Sequence, residues 1–167
     1  MSVTQKQIAT YLGISNQTVS DILNDKGHLY RNETRRRVEE AVEKLGYRRS
    51  GTALAMRRGR TDNFTLLLSG DSVVRSSLSD DLLYGVLTAL REHGLHLTIE
   101  ALPDQQLLEE GFVPKLLREI MSDGLLVNYN SRIPRQMVEL IRQHDVPAVW
   151  LNSKQQADCV FPNDFEA

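Results

Sequence analysis

The sequence predicts a chain of two parts: an all-α helix-turn-helix headpiece with a short hinge helix, then an α/β lobe built on a parallel sheet. Three observations predict it. Over the first sixty residues, apolar stripes at helical spacing are cut by single glycines, as in a small helical bundle. From Asn63 onward, short apolar runs alternate with amphipathic stretches, the rhythm of strands joined by covering helices. The charge reverses near the same place. Residues 1–60 carry twelve Lys/Arg and six Asp/Glu, whereas residues 61–167 carry eight and sixteen, so the net charge of −2 hides balances of +6 and −8. That split fits a basic module that meets a polyanion, joined to an acidic body that does not.

In the headpiece, Thr4-x-x-Gln7 has capping-box form, and Ile8, Tyr11 and Leu12 make a stripe that stops at Gly13. Ser15 is the natural N-cap of a second helix, with Val19, Ile22 and Leu23 facing inward. Asn24-Asp25-Lys26-Gly27 reads as a loop. Asn32 is expected to cap a third helix, on which Val38, Ala41, Val42 and Leu45 share a face and which Gly46 ends. A basic connector, "YRRSGTALAMRRGRTDN", follows, with a short helix expected from Ser50 to Arg58.

Beyond it, "FTLLLSG", "LHLTIEAL", "LLVNYN" and "VPAVWLN" read as strands. "DDLLYGVLTALREHG", "VPKLLREIMSDG" and "PRQMVELIRQHD" read as the helices between them. The expected boundaries are 1–47 for the headpiece, 48–62 for the hinge and linker, and 63–167 for the core lobe.

Composition narrows the class. Apolar residues make up 41% and charged residues 25%, the balance of a soluble globular protein. The single cysteine, Cys159, excludes an internal disulfide framework and fits a reducing compartment. "MSVTQKQIATYL" lacks the basic start and apolar run of a signal peptide, and no apolar stretch nears the roughly 20 residues that cross a bilayer. A cytoplasmic, nucleoid-associated location is therefore expected.

"GISNQTVSDILN" is the most informative stretch. Two helices joined by a glycine-containing turn form a helix-turn-helix, whose second helix presents its N-terminal residues to the major groove of DNA. Asn16, Gln17 and Asp21 are expected on the side opposite Val19, Ile22 and Leu23. Gln and Asn bond adenine bidentately, while Ser15 and Thr18 at a helix N-terminus suit a phosphate. The same residues would serve equally as plain caps on a three-helix bundle.

"VTQKQIATYLGISNQTVSDILN", "ETRRRVEEAVEKLGYR" and "TALAMRRGRT" resemble the headpiece and hinge of the lactose-repressor (LacI/GalR) family of bacterial transcription regulators. The likeness is dense over residues 3–61. It continues in "LLYGVLTALREHGLHLTI" and "SDGLLV", which resemble the first core helix and the second and third strands. The resemblance implies a periplasmic-binding-protein-like core and sequence-specific binding to a double-stranded operator as a homodimeric repressor. In the full-length protein, operator affinity would be set by a small effector, a sugar or nucleobase. It implies no metal, no organic cofactor and no membrane partner. It places Asn16, Gln17 and Asp21 at base-reading positions, and Ser15, Thr18, Asn24, His28, Thr34 and Arg35 where the backbone is contacted or ordered. It assigns no effector-binding residues here.

The departures matter. Members commonly carry Arg where this chain has Asp21, which repels phosphate and can only accept, as from cytosine N4. A helix-surface Asp that touches no base is the alternative. Loop "DKGHLYRNE" is one residue longer than the usual spacing, which leaves His28 between a backbone contact and a solvated loop residue. In the family the hinge helix lies in the minor groove and drives an apolar wedge between base steps. Met56 matches that wedge, usually Leu, with packing against a dimer mate as its alternative. Arg57, Arg58 and Arg60 would meet phosphates or remain a solvated linker.

No catalytic pattern competes: "LLLSGDS" lacks the glycine spacing of a phosphate loop, and HExxH, CxxC and GxSxG do not occur. His93, His96 and His144 are scattered, with His93 near a helix end that suits a cation. Trp150 is expected as a core or pocket-edge aromatic, with stacking on a sugar ring as the other use. "CVFPNDFEA" resembles the family's V-x-x-D-N-x-x-G-A segment, with Asn163 and Asp164 in swapped order and Glu166 in place of glycine. The family carries that segment near mid-chain, so the resemblance implies a further α/β lobe and an incomplete one here. Two other readings stay open: a small-molecule (sugar) binding protein whose basic module serves oligomerisation, and a flavodoxin-like enzyme.

Overall fold

Thr4 opens the first helix, α1 (Gln5–Leu12), with a complete capping box: its Oγ1 accepts from the Gln7 amide, and Gln7 Oε1 accepts from the Thr4 amide at 2.8 Å. The computed structural model describes residues 3–72, 76–109, 111–130, 133–153 and 158–160. The chain divides into two compact units, Met1–Gly51 and Thr52–Ala167.

In the first unit α1 ends at Gly13, whose φ of +66 is left-handed and suits a residue without Cβ. Ser15 then caps α2 (Asn16–Asp21) by accepting from the Thr18 amide at 3.0 Å. The stretch expected as a loop is partly helical. Ile22–Lys26 forms a wide helical turn that breaks at Asn24 and at Asp25, where φ is +64, and a 3₁₀ turn, Gly27–Leu29, follows. α3 spans Asn32–Leu45 and ends at Gly46, again left-handed.

The expected cap of α3 is displaced. Asn32 is the first helical residue and Arg31 stands at the cap without a side-chain bond, because the Asn32 oxygen is taken by the Arg35 guanidinium. Ile8, Ala9, Val19, Ile22, Leu23, Val38 and Ala41 form the core, whereas Tyr11, expected in the apolar stripe of α1, is 51% exposed with Lys44 Nζ 5.5 Å over its ring. Arg37 on α3 donates to the Leu12 carbonyl at 3.1 Å, tying the third helix to the end of the first.

The second unit begins within α4 (Gly51–Arg58), at Thr52, and Gly59 ends that helix. Five parallel strands follow in the order β2-β1-β3-β4-β5: β1 Asn63–Ser69, β2 His96–Leu102, β3 Gly124–Asn128, β4 Ala148–Leu151 and β5 Cys159–Val160. The connecting helices are α5 (Asp80–Glu92), α6 (Lys115–Arg118) and α7 (Arg135–Gln143). One sheet face carries the main core, where Leu67, Leu125, Val127 and Trp150 pack with Leu116, Leu117, Met137, Leu140 and Ile141 from α6 and α7. Gly124 has to be glycine, because a Cβ there would meet the Phe64 ring at 2.9 Å and the Pro147 carbonyl at 3.2 Å.

"VPKLLREIMSDG" is less helical than its pattern predicts. α6 is one turn long, and Glu119 is already extended (φ −121, ψ 140). The following chain is drawn to the start of β1 instead: Asn63 Nδ2 donates to the Met121 carbonyl at 3.2 Å, and the Asp123 amide to the Asn63 carbonyl at 2.8 Å. These bonds to a distant segment replace further helical ones. β5, which the sequence reading did not mark as a strand, pairs with β4 through Trp150 and Leu151. Asn163, Asp164 and Glu166 lie outside the described residues.

Candidate nucleic-acid interface and the polar sheet edge

Asn16 and Gln17 occupy the first turn of α2 and are both exposed. Both side chains are thus open at the place the sequence assigns to contact. Ser15 and Thr18 are mutually bonded: Ser15 Oγ accepts from the Thr18 amide, and the two hydroxyls lie 2.9 Å apart. Asn24 donates to Ser20 Oγ at 3.1 Å and steadies the wide turn. His28 is exposed on the 3₁₀ turn, and Thr34 is half-buried in the first turn of α3. The Arg35 stem runs so close over Gly27 that a Cβ there would lie 3.0 Å from Arg35 Cδ.

Asp21, which the sequence places on the exposed side with Asn16 and Gln17, lies deeper than they do. It is half-buried, and each carboxylate oxygen already holds a donor: Gln17 Nε2 at 2.9 Å and the Tyr30 hydroxyl at 2.8 Å. The bond to Asp21 raises the Tyr30 hydroxyl above the ordinary tyrosine pKa, with desolvation and the Asp21 charge acting in the same direction. The neighbouring Thr18 hydroxyl acts in the opposite direction and partly offsets the rise.

On α4, Met56 is 84% exposed. Arg57 is exposed beside it. Arg58 and Arg60 both reach Asp62, at 3.4 and 2.6 Å. The sequence did not anticipate that one aspartate would engage two of the three expected phosphate contacts.

A second polar cluster lies at the carboxyl ends of the strands, where open α/β sheets place their ligands. Asp104 is 5% exposed and accepts from Ser69 Oγ at the end of β1 and from the Tyr129 hydroxyl just after β3, both at 2.6 Å. Asn128 donates to the Ser76 carbonyl at 3.0 Å and accepts from Asn152 Nδ2 at 3.0 Å. β1 and β3 are the neighbours between which the strand order reverses. A polar residue directly after each apolar run, in "LLLSG", "LLVNYN" and "VWLN", was the available sign of this row. Trp150 belongs to the main core. At the amino ends of the strands, Arg60, Phe64, Leu117, Asp123, His144 and Pro147 line an open cleft of about 750 Å³. Among the described residues no cluster of His, Cys, Asp and Glu could hold a metal ion, and no helix is long and apolar enough to cross a membrane.

Comparison with known proteins agrees with this architecture. Residues 4–50 match the family model "Bacterial regulatory proteins, lacI family". The chain is 34% identical over 126 residues to the HTH-type transcriptional regulator PtxS of Pseudomonas plecoglossicida, covering 75% of this chain and 36% of that one. It is 30% identical over 151 residues to PtxS of Pseudomonas putida, covering 90% and 42%. It is 24% identical over 158 residues to RegA of Clostridium acetobutylicum, covering 95% and 46%. The chain thus spans less than half the length of these relatives. Its fold is similar to that of the lac repressor dimer solved with operator and the anti-inducer ONPF, with a TM-score of 0.72 at 20% identity, over 98% of this chain and 49% of that one. Residues 4–50 thus form a helix-turn-helix domain of the lacI family of bacterial regulatory proteins, and the α/β unit that follows shares the fold of the lac repressor.

Proposed function

We propose that this chain binds a DNA operator in a sequence-specific way, as the reading part of a homodimeric transcriptional repressor of the bacterial cytoplasm. One observation carries the proposal: α2 leaves the amides of Asn16 and Gln17 exposed at its N-terminal turn, within a segment whose charge balance is +6 over residues 1–60. Amide side chains at that place suit base edges in the major groove, and the basic surround suits phosphate. Ser15, Thr18, Asn24, His28, Thr34 and Arg35 fix or flank the turn as backbone-contacting and backbone-ordering residues. Met56 is the minor-groove wedge, with Arg57, Arg58 and Arg60 on phosphates.

The proposal extends to regulation by a small effector, a sugar or nucleobase. The polar row of Ser69, Asp104, Asn128, Tyr129 and Asn152 supports this, since it stands where α/β sheets take ligands. The relatives PtxS and RegA are named as transcriptional regulators, which supports a binding rather than a catalytic role. Selection of bound duplexes from a random pool, followed by a salt series on the enriched sequence, tests the reading. Enrichment of a defined site with steeply salt-dependent affinity is expected. Equal retention of all sequences would remove the regulator reading and leave a basic oligomerisation module.

A further inference from the structure

The bonds around Asp21 settle how Gln17 faces outward. An ionised carboxylate accepts hydrogen bonds and donates none, so the Gln17 amide must turn an N–H toward Asp21 Oδ1, at 2.9 Å. The Tyr30 hydroxyl likewise donates to Oδ2, at 2.8 Å. Tyr30 follows the wide turn, nine residues from Asp21, so a fixed loop residue holds the acid and the acid holds the amide. A flipped Gln17 would set its carbonyl oxygen against the carboxylate, which is repulsive. The amide has two N–H donors and one acceptor oxygen. With one N–H spent on Asp21, one donor and the acceptor remain.

We propose that Asp21 and Tyr30 are positioning residues that lock the Gln17 amide into a one-donor, one-acceptor edge, making it a reader of adenine that rejects guanine. The inference rests on the DNA-binding proposal above. Adenine offers an N6 donor and an N7 acceptor in the major groove, which complement that edge. Guanine offers only the acceptors O6 and N7, so one of them faces the Gln17 oxygen. An unclamped glutamine regains its second N–H and free rotation, and with them tolerance of guanine. Asp21 therefore contributes to specificity without touching a base.

The test is selection of bound duplexes from a random pool by the full chain and by its Gln17→Ala, Asp21→Ala and Tyr30→Phe variants, each first checked by thermal melting. Gln17→Ala is expected to erase the preference at one position of each half-site. Asp21→Ala and Tyr30→Phe are expected to raise guanine relative to adenine at that same position by about tenfold, within the discrimination a bidentate contact provides, and to leave other positions unchanged. Tyr30→Phe keeps the ring and decides the matter should Asp21→Ala fail to fold. Profiles unchanged in both variants, with affinity altered evenly, would make Asp21 a plain surface acid and overturn the clamp alone. A change at a position other than the one Gln17→Ala erases would make Asp21 a base reader itself and also overturn it. A wild-type chain that enriches nothing overturns the DNA reading, and the clamp's role with it.

Discussion

The Asp123 carboxylate accepts from the Thr61 amide at 2.6 Å and from the Thr61 hydroxyl at 2.9 Å, stapling the chain two residues before β1 to the residue before β3. The Asp62 amide adds a third bond, at 2.9 Å. Burial pushes the Asp123 carboxyl up, but the bonds from Thr61 and Asp62, with the Arg60 charge, outweigh it and hold the pKa below the ordinary value. A lowered folded-state pKa means that the staple stabilises the fold fully above the ordinary aspartate pKa, about 3.9, and is lost as the pH falls through the folded-state value. Thermal melts should therefore show wild-type stability declining below about pH 5 more steeply than that of Asp123→Asn. Asp123→Ala, which strands three donors, should cost about 2 kcal/mol at neutral pH. Equal pH profiles for wild type and Asp123→Asn would assign the acid loss elsewhere.

Asp62 sets how much positive charge the connector offers. It engages Arg58 and Arg60, and its φ of +54 is left-handed, which asparagine tolerates better than alanine. The arginine ends of these pairs are open to solvent, and such pairs contribute about 1 kcal/mol or less, so Asp62→Asn should change the melting temperature little. DNA affinity, in contrast, should rise and depend more steeply on salt, by about 0.9 in log–log slope for each arginine that gains a phosphate. Arg57→Ala should flatten the slope by about the same amount. A salt series by fluorescence anisotropy reads both, and slopes unmoved by either change would return the connector to a solvated linker.

Two glycines should differ in their sensitivity. At Gly13 an added Cβ meets nothing within 4 Å, so Gly13→Ala is charged only with left-handed backbone strain, about 1 kcal/mol. At Gly124 the Phe64 ring and the Pro147 carbonyl stand in the way, so Gly124→Ala should be the more damaging, at about 2 kcal/mol. Denaturant titration of the two variants ranks them. The reverse order would place the Gly124 contacts among those that yield easily.

What could be read from the sequence was local. The Thr4 capping box, the Ser15 cap and the left-handed stops at Gly13 and Gly46 depend on residues within one turn, and each was found where the pattern put it. Alternating apolar runs likewise gave the parallel sheet, since buried strands carry their own signature. Long-range pairs were not readable. Nothing near Asp21 announces Tyr30 as its partner across the wide turn. The early end of α6 depends on bonds between Met121 or Asp123 and Asn63, about sixty residues away. Asn32 was misplaced by one position because Arg35 competes for its oxygen.

The last prediction concerns Met56. An apolar side chain left 84% exposed has little to lose from truncation in the free protein, so Met56→Ala should leave the melting temperature nearly unchanged. On the proposed minor-groove reading the same side chain is buried between opened base steps in the complex. Burying a methionine-sized group is worth about 1.5–3 kcal/mol, and opening the step costs a few kcal/mol, which that burial and the contacts of bent DNA must offset. Met56→Ala should thus weaken operator binding by roughly 10- to 100-fold and reduce the bend, whereas Met56→Leu should hold both near wild type. Affinity measured beside bend angle, using operator placed at different points along a fragment, separates this from packing against a second protomer. Met56→Ala that dissociates a dimer while leaving the bend at saturation unchanged would assign Met56 to the protein contact and leave the base step without its wedge.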